Sequence, residues 1–240
     1  MRKFRKPMVG VIGGMGSAST VDFLEKIVQL TPAKKDQDHI SWVTLNLAYI
    51  PDRSAAVLGN GENPLPHILE GIDILNDLNV SLTVVPCNTA HHWFTELRQR
   101  SSAPILNIAD ASVGRLSIPI ESRVAVLASR GTIASGFFDT ALREKGYQSV
   151  ILDDKTQKRV DECMRHVKSG DIQNASEHLK AVLASLEDAN VSAAILGCTE
   201  IPLAAALLSS PPLLLIDSTL SLAFETVEHA RNNSWLGIAT

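Results

Sequence analysis

From Met8 onward, short unbroken apolar runs alternate with longer segments whose apolar positions recur every three or four residues. The first kind predicts buried strands and the second amphipathic helices. "MVGVIGG" predicts a strand and "SASTVDFLEKIVQL" a helix. "WVTLNLAYI" predicts a strand, and "PHILEGIDILNDLN", apolar at 68, 69, 72, 75 and 78, a helix. "SLTVVP" then predicts a strand, "TAHHWFTELRQRS" a helix and "PILNI" a strand, followed by "ADASVGRLSI". That order predicts a parallel sheet with helices on both faces.

The second half repeats the order. "RVAVLAS" predicts a strand and "ASGFFDTALREKG" a helix; "QSVILD" a strand and "TQKRVDECMRHVKSG" a helix stopped at Gly170. A long helix over "DIQNASEHLKAVLASLEDAN" precedes the strand "VSAAILG", the helix "TEIPLAAALLS", the strand "PLLLID" and a closing helix over "STLSLAFETVEHARNNS". Three anchors align the halves: "VGVIGGMG" with "VAVLASRG", Cys87 with Cys198, and "PILNIAD" with "PLLLIDS". Their agreement in order and spacing indicates an internal duplication.

Composition narrows the class. The chain has 240 residues, 45% hydrophobic and 20% charged, as in a soluble globular protein. Aromatic residues are only 5%, so Val, Ile, Leu and Ala must fill the core. A net charge of −4 without a basic stripe argues against a nucleic-acid partner. The basic start "MRKFRKPM" leads into a run too short and glycine-rich for a signal peptide, and reads as a solvated tail. No stretch reaches the ~18 apolar residues of a membrane helix; "LAAALLSSPPLLLI" is broken by Pro211 and Pro212. A cytoplasmic protein without a membrane partner is expected.

The three cysteines, 87, 163 and 198, form no C-x-x-C pair. A disulfide framework is therefore not expected. Cys163, inside "RVDECMRHV", reads as core packing. Cys87 in "VVPCNTAHHW" and Cys198 in "AILGCTEIPL" differ, since each follows an apolar strand and precedes a helix. The carboxyl edge of a parallel sheet is where ligands bind, and a helix N-terminus favours the thiolate. Thr89 and Thr199 follow the cysteines into the same crevice. Two thiols facing one carbon from opposite sides suit inversion at that carbon, one removing a proton from one face and the other returning a proton to the far face. A thiol pKa near 8.5 is tunable for both roles.

Other positions carry two readings each. The glycines of "VIGGMGSAST" do not spell a dinucleotide fingerprint; they suit a tight turn and also a nest of N–H groups for an anion. Arg53, in "YIPDRSA", either holds a carboxylate in bidentate fashion or pairs with Asp52 or its own loop. Lys168, taken alone, reads as a solvated cation near a helix C-terminus. Cys87 and His91 have the spacing of half a metal site, but Cys198 is followed by Glu200 and no histidine, so no metal is expected. His91 is expected to line the cleft or cap the helix, and His92 to face outward.

At "VIGGMGSAST", "IPDRSA", "PCNTAHHWF" and "LGCTEIPL" the chain resembles the aspartate/glutamate racemase family, in its cofactor-independent aspartate racemase branch. The resemblance covers nearly the whole chain. It implies two pseudo-symmetric three-layer α/β domains with mainly parallel sheets and the active site in the cleft between them. The expected division is residues 1–115 with the C-terminal helix 218–240, and residues 116–217. It also implies a homodimer that racemises a small amino acid without cofactor or metal, Cys87 and Cys198 being the two acid/base residues. By position, Met15, Asn88, Thr89, Thr132 and Thr199 bind the amino acid, Glu200 belongs to the same set, and Arg53 and Lys168 receive the side-chain carboxylate.

Two departures bear on specificity. Ser17 replaces the proline that usually follows "GGMG", which loosens that loop. Tyr49 stands where many members carry an amide or lysine near the substrate, which opens the preference beyond aspartate to glutamate or neutral amino acids. Superfamily relatives with a single cysteine catalyse decarboxylation or prefer one enantiomer. Hydantoin racemase, maleate isomerase, arylmalonate decarboxylase and a non-catalytic amino-acid-binding protein are the competing readings.

Overall fold

The computed structural model describes residues 6–236, so most of the basic N-terminal tail lies outside the described residues. Among the described residues, seven strands form two parallel sheets. In the first, β1 (Val9–Gly13) lies between β2 (Trp42–Asn46) and β3 (Leu82–Val84). In the second, the order is β5 (Gln148–Val150), β4 (Arg123–Leu127), β6 (Ala193–Leu196), β7 (Leu214–Asp217). An isolated parallel bridge between Thr83 and Ile105 stands where the first sheet would have its fourth strand. Both halves thus carry the same strand order, as the aligned anchors predict.

Side-chain alternation sends each strand's residues to two different cores. Val9 and Val11 of β1 pack with Phe23 and Ile27 of α1 (Ser17–Leu30) and with Leu222 and Val227 of α11 (Ser218–Asn232). On the other face Ile12 meets Ile68, Ile72 and Leu75 of α3 (Leu65–Asp77) and Leu97 of α4 (Phe94–Arg100). Arg53–Val57 forms the short α2. In the second sheet, Ala125 and Leu127 face Val160 and Cys163 of α8 (Asp154–Lys168), Leu179 and Leu183 of α9 (Ile172–Asp188) and Ala204 of α10 (Ile201–Ala205). Val124 and Val126 face Phe138 and Leu142 of α7 (Phe137–Glu144) and Ala109 of α5 (Ile108–Val113). Each sheet is therefore the middle of three layers. The last helix covers the first sheet, and α5 reaches across to the second.

Several boundaries differ from expectation, and four of them have a local reason. The strand expected over residues 42–50 ends at Asn46, where the Ile50 amide bonds back to the Leu47 carbonyl in a turn. "PILNI" contributes one bridge only, because Pro104 has no N–H and Asn107 already caps α5, its side chain accepting from the Ala109 amide at 2.8 Å. The segment after Cys87 begins as a 3₁₀ turn, Thr89–Trp93, before α4. The helix expected over residues 134–146 is two helices, α6 (Arg130–Ser135) and α7, parted by Gly136 at φ +70°.

Candidate active site

Cys87 follows β3 and Cys198 follows β6, which are equivalent strands in the repeated order. Both sulfurs line one small pocket at the carboxyl edges of the two sheets, with about 80 Å³ of free space. The first half contributes Met15, Arg53, Asn88 and Thr89 to its wall; the second contributes Lys168, Thr199 and Glu200. The halves meet closely beside it. The Gly131 amide of α6 donates to Ser54 Oγ of α2 at 3.0 Å, and a Cβ on Gly131 would fall 2.6 Å from Ser54 Cα.

The glycine turn after β1 is shaped by packing. Gly14 lies at φ +88°, and a Cβ there would fall 2.5 Å from the Leu47 backbone. Its amide donates to Thr20 Oγ1 at 3.0 Å, and that hydroxyl donates to the Gly16 carbonyl. The turn thus presents the buried Met15 to the pocket.

Around Cys198 the polar groups form a chain. Ser19 Oγ donates to Thr199 Oγ1 at 2.6 Å, and Thr199 Oγ1 donates to Glu200 Oε2 at 3.3 Å. The Cys198 thiol donates to the same carboxylate oxygen at 2.8 Å, while Lys168 Nζ lies 3.5 Å from Glu200 Oε1. Around Cys87 the surroundings are different. Arg53 donates from Nη1 to the Ile50 and Pro51 carbonyls of its own loop, at 3.1 and 2.9 Å, and its buried Nε has no partner. Thr89 Oγ1 lies 2.8 Å from Thr132 Oγ1 and 3.4 Å from Ser129 Oγ. Asn88 donates to Ser218 Oγ at 3.0 Å, leaving its buried Oδ1 unpartnered.

Both pocket thiols are held neutral, though unequally. Burial raises the Cys87 pKa, against which the Arg53 guanidinium and the Ala90 amide favour the thiolate. Cys198 is raised well above the ordinary thiol value, first by burial and then by the negative charge of Glu200. Cys163 is pushed to about 11 by burial alone, as a core thiol of α8.

The structure brings most of the expected residues together, with three differences. Tyr49 is a correction: it is 58% exposed, with its hydroxyl 3.4 Å from Glu70 and its ring edge against His67, away from the pocket. Thr132 stands one layer back, reaching the site through Thr89. His91 neither lines the cleft nor caps a helix. It is buried, and its Nδ1 lies 2.9 Å from the Cys87 carbonyl, so that nitrogen carries the proton and supports the cysteine loop. His92 is exposed, as expected. Asp52, Ser54, Ser129 and Gly197 also line the pocket and were not singled out from sequence. Asp52 and Ser129 cap α2 and α6, accepting from Ala55 and Thr132 amides, and such caps are legible as polar residues preceding a helix. A larger cavity, about 530 Å³, lies beside α6 and β5 and contains neither thiol. No described helix is long and apolar enough to cross a membrane.

The sequence profile of the Asp/Glu/hydantoin racemase family matches residues 12–226. The broad specificity amino-acid racemase RacX of Bacillus subtilis (strain 168) is 28% identical over 235 residues, covering 92% of this chain and 96% of that one. The solved aspartate racemase of Picrophilus torridus is 33% identical, with a TM-score of 0.81 over 94% of each chain. An aspartate racemase homologue from Pyrococcus horikoshii OT3, 21% identical, shares the fold with a TM-score of 0.75 over 96% of this chain and all of its own. The chain belongs to the Asp/Glu/hydantoin racemase family and is an enzyme of it, an amino-acid racemase.

Proposed function

We propose that this racemase acts on aspartate by a two-base mechanism in which Cys87 and Cys198 serve opposite faces of Cα. The observation that carries the reading is one pocket holding two thiols from equivalent strands, with two cations, Arg53 and Lys168, beside them. Glutamate and broader amino-acid use fall within the same reading, since the RacX relative is named for broad specificity.

In one direction a thiolate takes the Cα proton. The C–H bond breaks, an S–H bond forms, and the electron pair spreads over Cα and the α-carboxylate. The opposite thiol then gives its proton to the other face and is left as a thiolate. The product is the mirror image, and the two cysteines have exchanged protonation states.

The two thiols are biased in opposite directions: Arg53 favours the Cys87 thiolate, and Glu200 keeps the proton on Cys198. Glu200 accepts a hydrogen bond from the Cys198 thiol, which holds the proton on that sulfur as the donor to Cα. Ser19, through Thr199, and Lys168 hold that carboxylate. Arg53 stabilises a Cys87 thiolate directly. The developing charge on the α-carboxylate needs fixed donors, and the hydroxyls of Thr89 and Thr199 stand at the pocket wall for it. One such donor is worth about 3–4 kcal/mol in a transition state. The unpartnered Arg53 Nε and the weakly engaged, exposed Lys168 remain for the side-chain carboxylate. Nothing in this scheme calls for a cofactor. The same reading assigns a cytoplasmic homodimer, which sedimentation at twice the chain mass would support.

The test is incubation of each enantiomer of aspartate and glutamate in D₂O, followed by chiral separation and proton NMR at Cα. Inversion with deuterium incorporated at Cα is the expected result. Absence of both exchange and inversion with all four would overturn the substrate assignment, and inversion with full retention of the Cα proton would overturn solvent-exchanging thiols as the two bases.

A further inference from the structure

Away from the thiol pocket, α8 and α9 bring together a set of metal-ligating side chains. Glu162 and His166 stand one turn apart on the same face of α8, and His178 stands opposite on α9. One donor atom from each lies within 4.8 Å of the others. The two imidazoles are stacked, with centroids 5.3 Å apart and planes inclined by 22°.

The tautomer of His166 follows from its neighbours. Arg165 Nη2 lies 3.0 Å from His166 Nε2 and 2.5 Å from Glu162 Oε2. A guanidinium only donates, so Nε2 presents a lone pair. The ring proton is then on Nδ1, which donates to Asp171 Oδ2 at 3.1 Å. Asp171 is itself fixed as the N-cap of α9, accepting from the Asn174 amide and side chain at 3.2 and 2.7 Å. A carboxylate behind one imidazole nitrogen, with the lone pair on the other facing a cation, is the outer-shell arrangement of metal-binding histidines. The Arg165 guanidinium already occupies, as a cation, the space between Glu162 and Nε2.

We propose that Glu162, His166 and His178 form a divalent transition-metal site that clips α8 to α9, with zinc as the ion best matched to two imidazoles and one carboxylate. Tetrahedral zinc needs donor atoms about 3.4 Å apart. The side chains therefore draw in by roughly an ångström, which the exposed Glu162 side chain accommodates as Arg165 swings out. A fourth position stays open to water. The site lies two residues before Lys168 on the same helix but does not depend on the racemase reading.

The experiment is titration of untagged, chelator-treated protein with zinc chloride, followed by calorimetry and by the thermal midpoint. One ion per chain is expected, with a rise in midpoint. Affinity should fall by about tenfold or more in H166A and in H178A, and should rise several-fold in R165A, where the competing cation is gone. Cobalt substitution should give a spectrum without thiolate charge transfer. No binding, unchanged affinity in H178A, no gain in R165A, or a thiolate–cobalt band would each overturn the site.

Discussion

The two thiols proposed as the acid/base pair occupy equivalent places yet have opposite electrostatic neighbours, Arg53 near Cys87 and Glu200 against Cys198. In the proposed scheme, removing either sulfur takes away the proton donor or acceptor for one face. C87A and C198A are each expected to lose at least about 10³-fold in racemisation, within the span of general acid–base catalysis. Each should still exchange the Cα proton of one enantiomer, opposite in the two variants, as followed in D₂O. Normal racemisation by either variant would remove the two-base assignment. Since the two enantiomers are equally stable in solution, kcat/KM must stay equal in both directions whatever the mutation; the asymmetry of the neighbours shows only in exchange and in kcat and KM taken singly. R53A and K168A should raise KM by about tenfold for dicarboxylic substrates and much less for neutral ones, measured by chiral assay. Equal changes for both would remove the side-chain-carboxylate role.

Much of this scale was legible in the sequence, because cysteine placement after an apolar run is a local signal. Lys168 was not distinguishable from a solvated helix-end cation by its own residues; only the fold places it against Glu200. Tyr49 misled because the strand before it ends early, and the turn that follows aims its ring at His67 rather than at the pocket.

Among the elements, the 3₁₀ turn Thr89–Trp93 has a built-in pH sensitivity. His91 is 2% exposed, and burial lowers its pKa from 6.5 to about 4, against the pull of the Cys87 carbonyl. Its folded-state value lies below the unfolded one, so the unfolded chain binds the extra proton first. The contribution to stability is intact above pH 6.5 and is lost as pH falls from there to about 4. The full difference is about 3 kcal/mol. Urea unfolding of wild type and H91Q across this range should show the wild-type curve falling more steeply; parallel curves would contradict it. At the α2–α6 contact, G131A should destabilise by about 1–3 kcal/mol through the clash with the Ser54 backbone, lowering Tm by several degrees in a thermal melt. An unchanged Tm would mean that the contact yields. Element types were readable from apolar periodicity, whereas the break at Gly136 and the loss of the "PILNI" strand depended on a positive φ and on a cap, which periodicity does not report.

At the scale of the molecule, the repeated strand order was anticipated by three short anchors, because a duplicated fold must keep its turns in register. Apolar patterning marks each sheet's faces; it carries no information about how two sheets approach each other, and so the seam between the halves was not readable. Beside the pocket that seam is stitched largely by hydroxyls: Ser19 on Thr199, Thr89 on Thr132, Ser54 on the Gly131 amide. Each such neutral hydrogen bond contributes only about 1 kcal/mol net, and water can replace any of them. The pocket has only about 80 Å³ of free space, so admitting an amino acid would require these stitches to part. Product escape, rather than proton transfer, is the step that a thickened solvent would then slow, and the expected outcome is a turnover that falls as sucrose or glycerol is added.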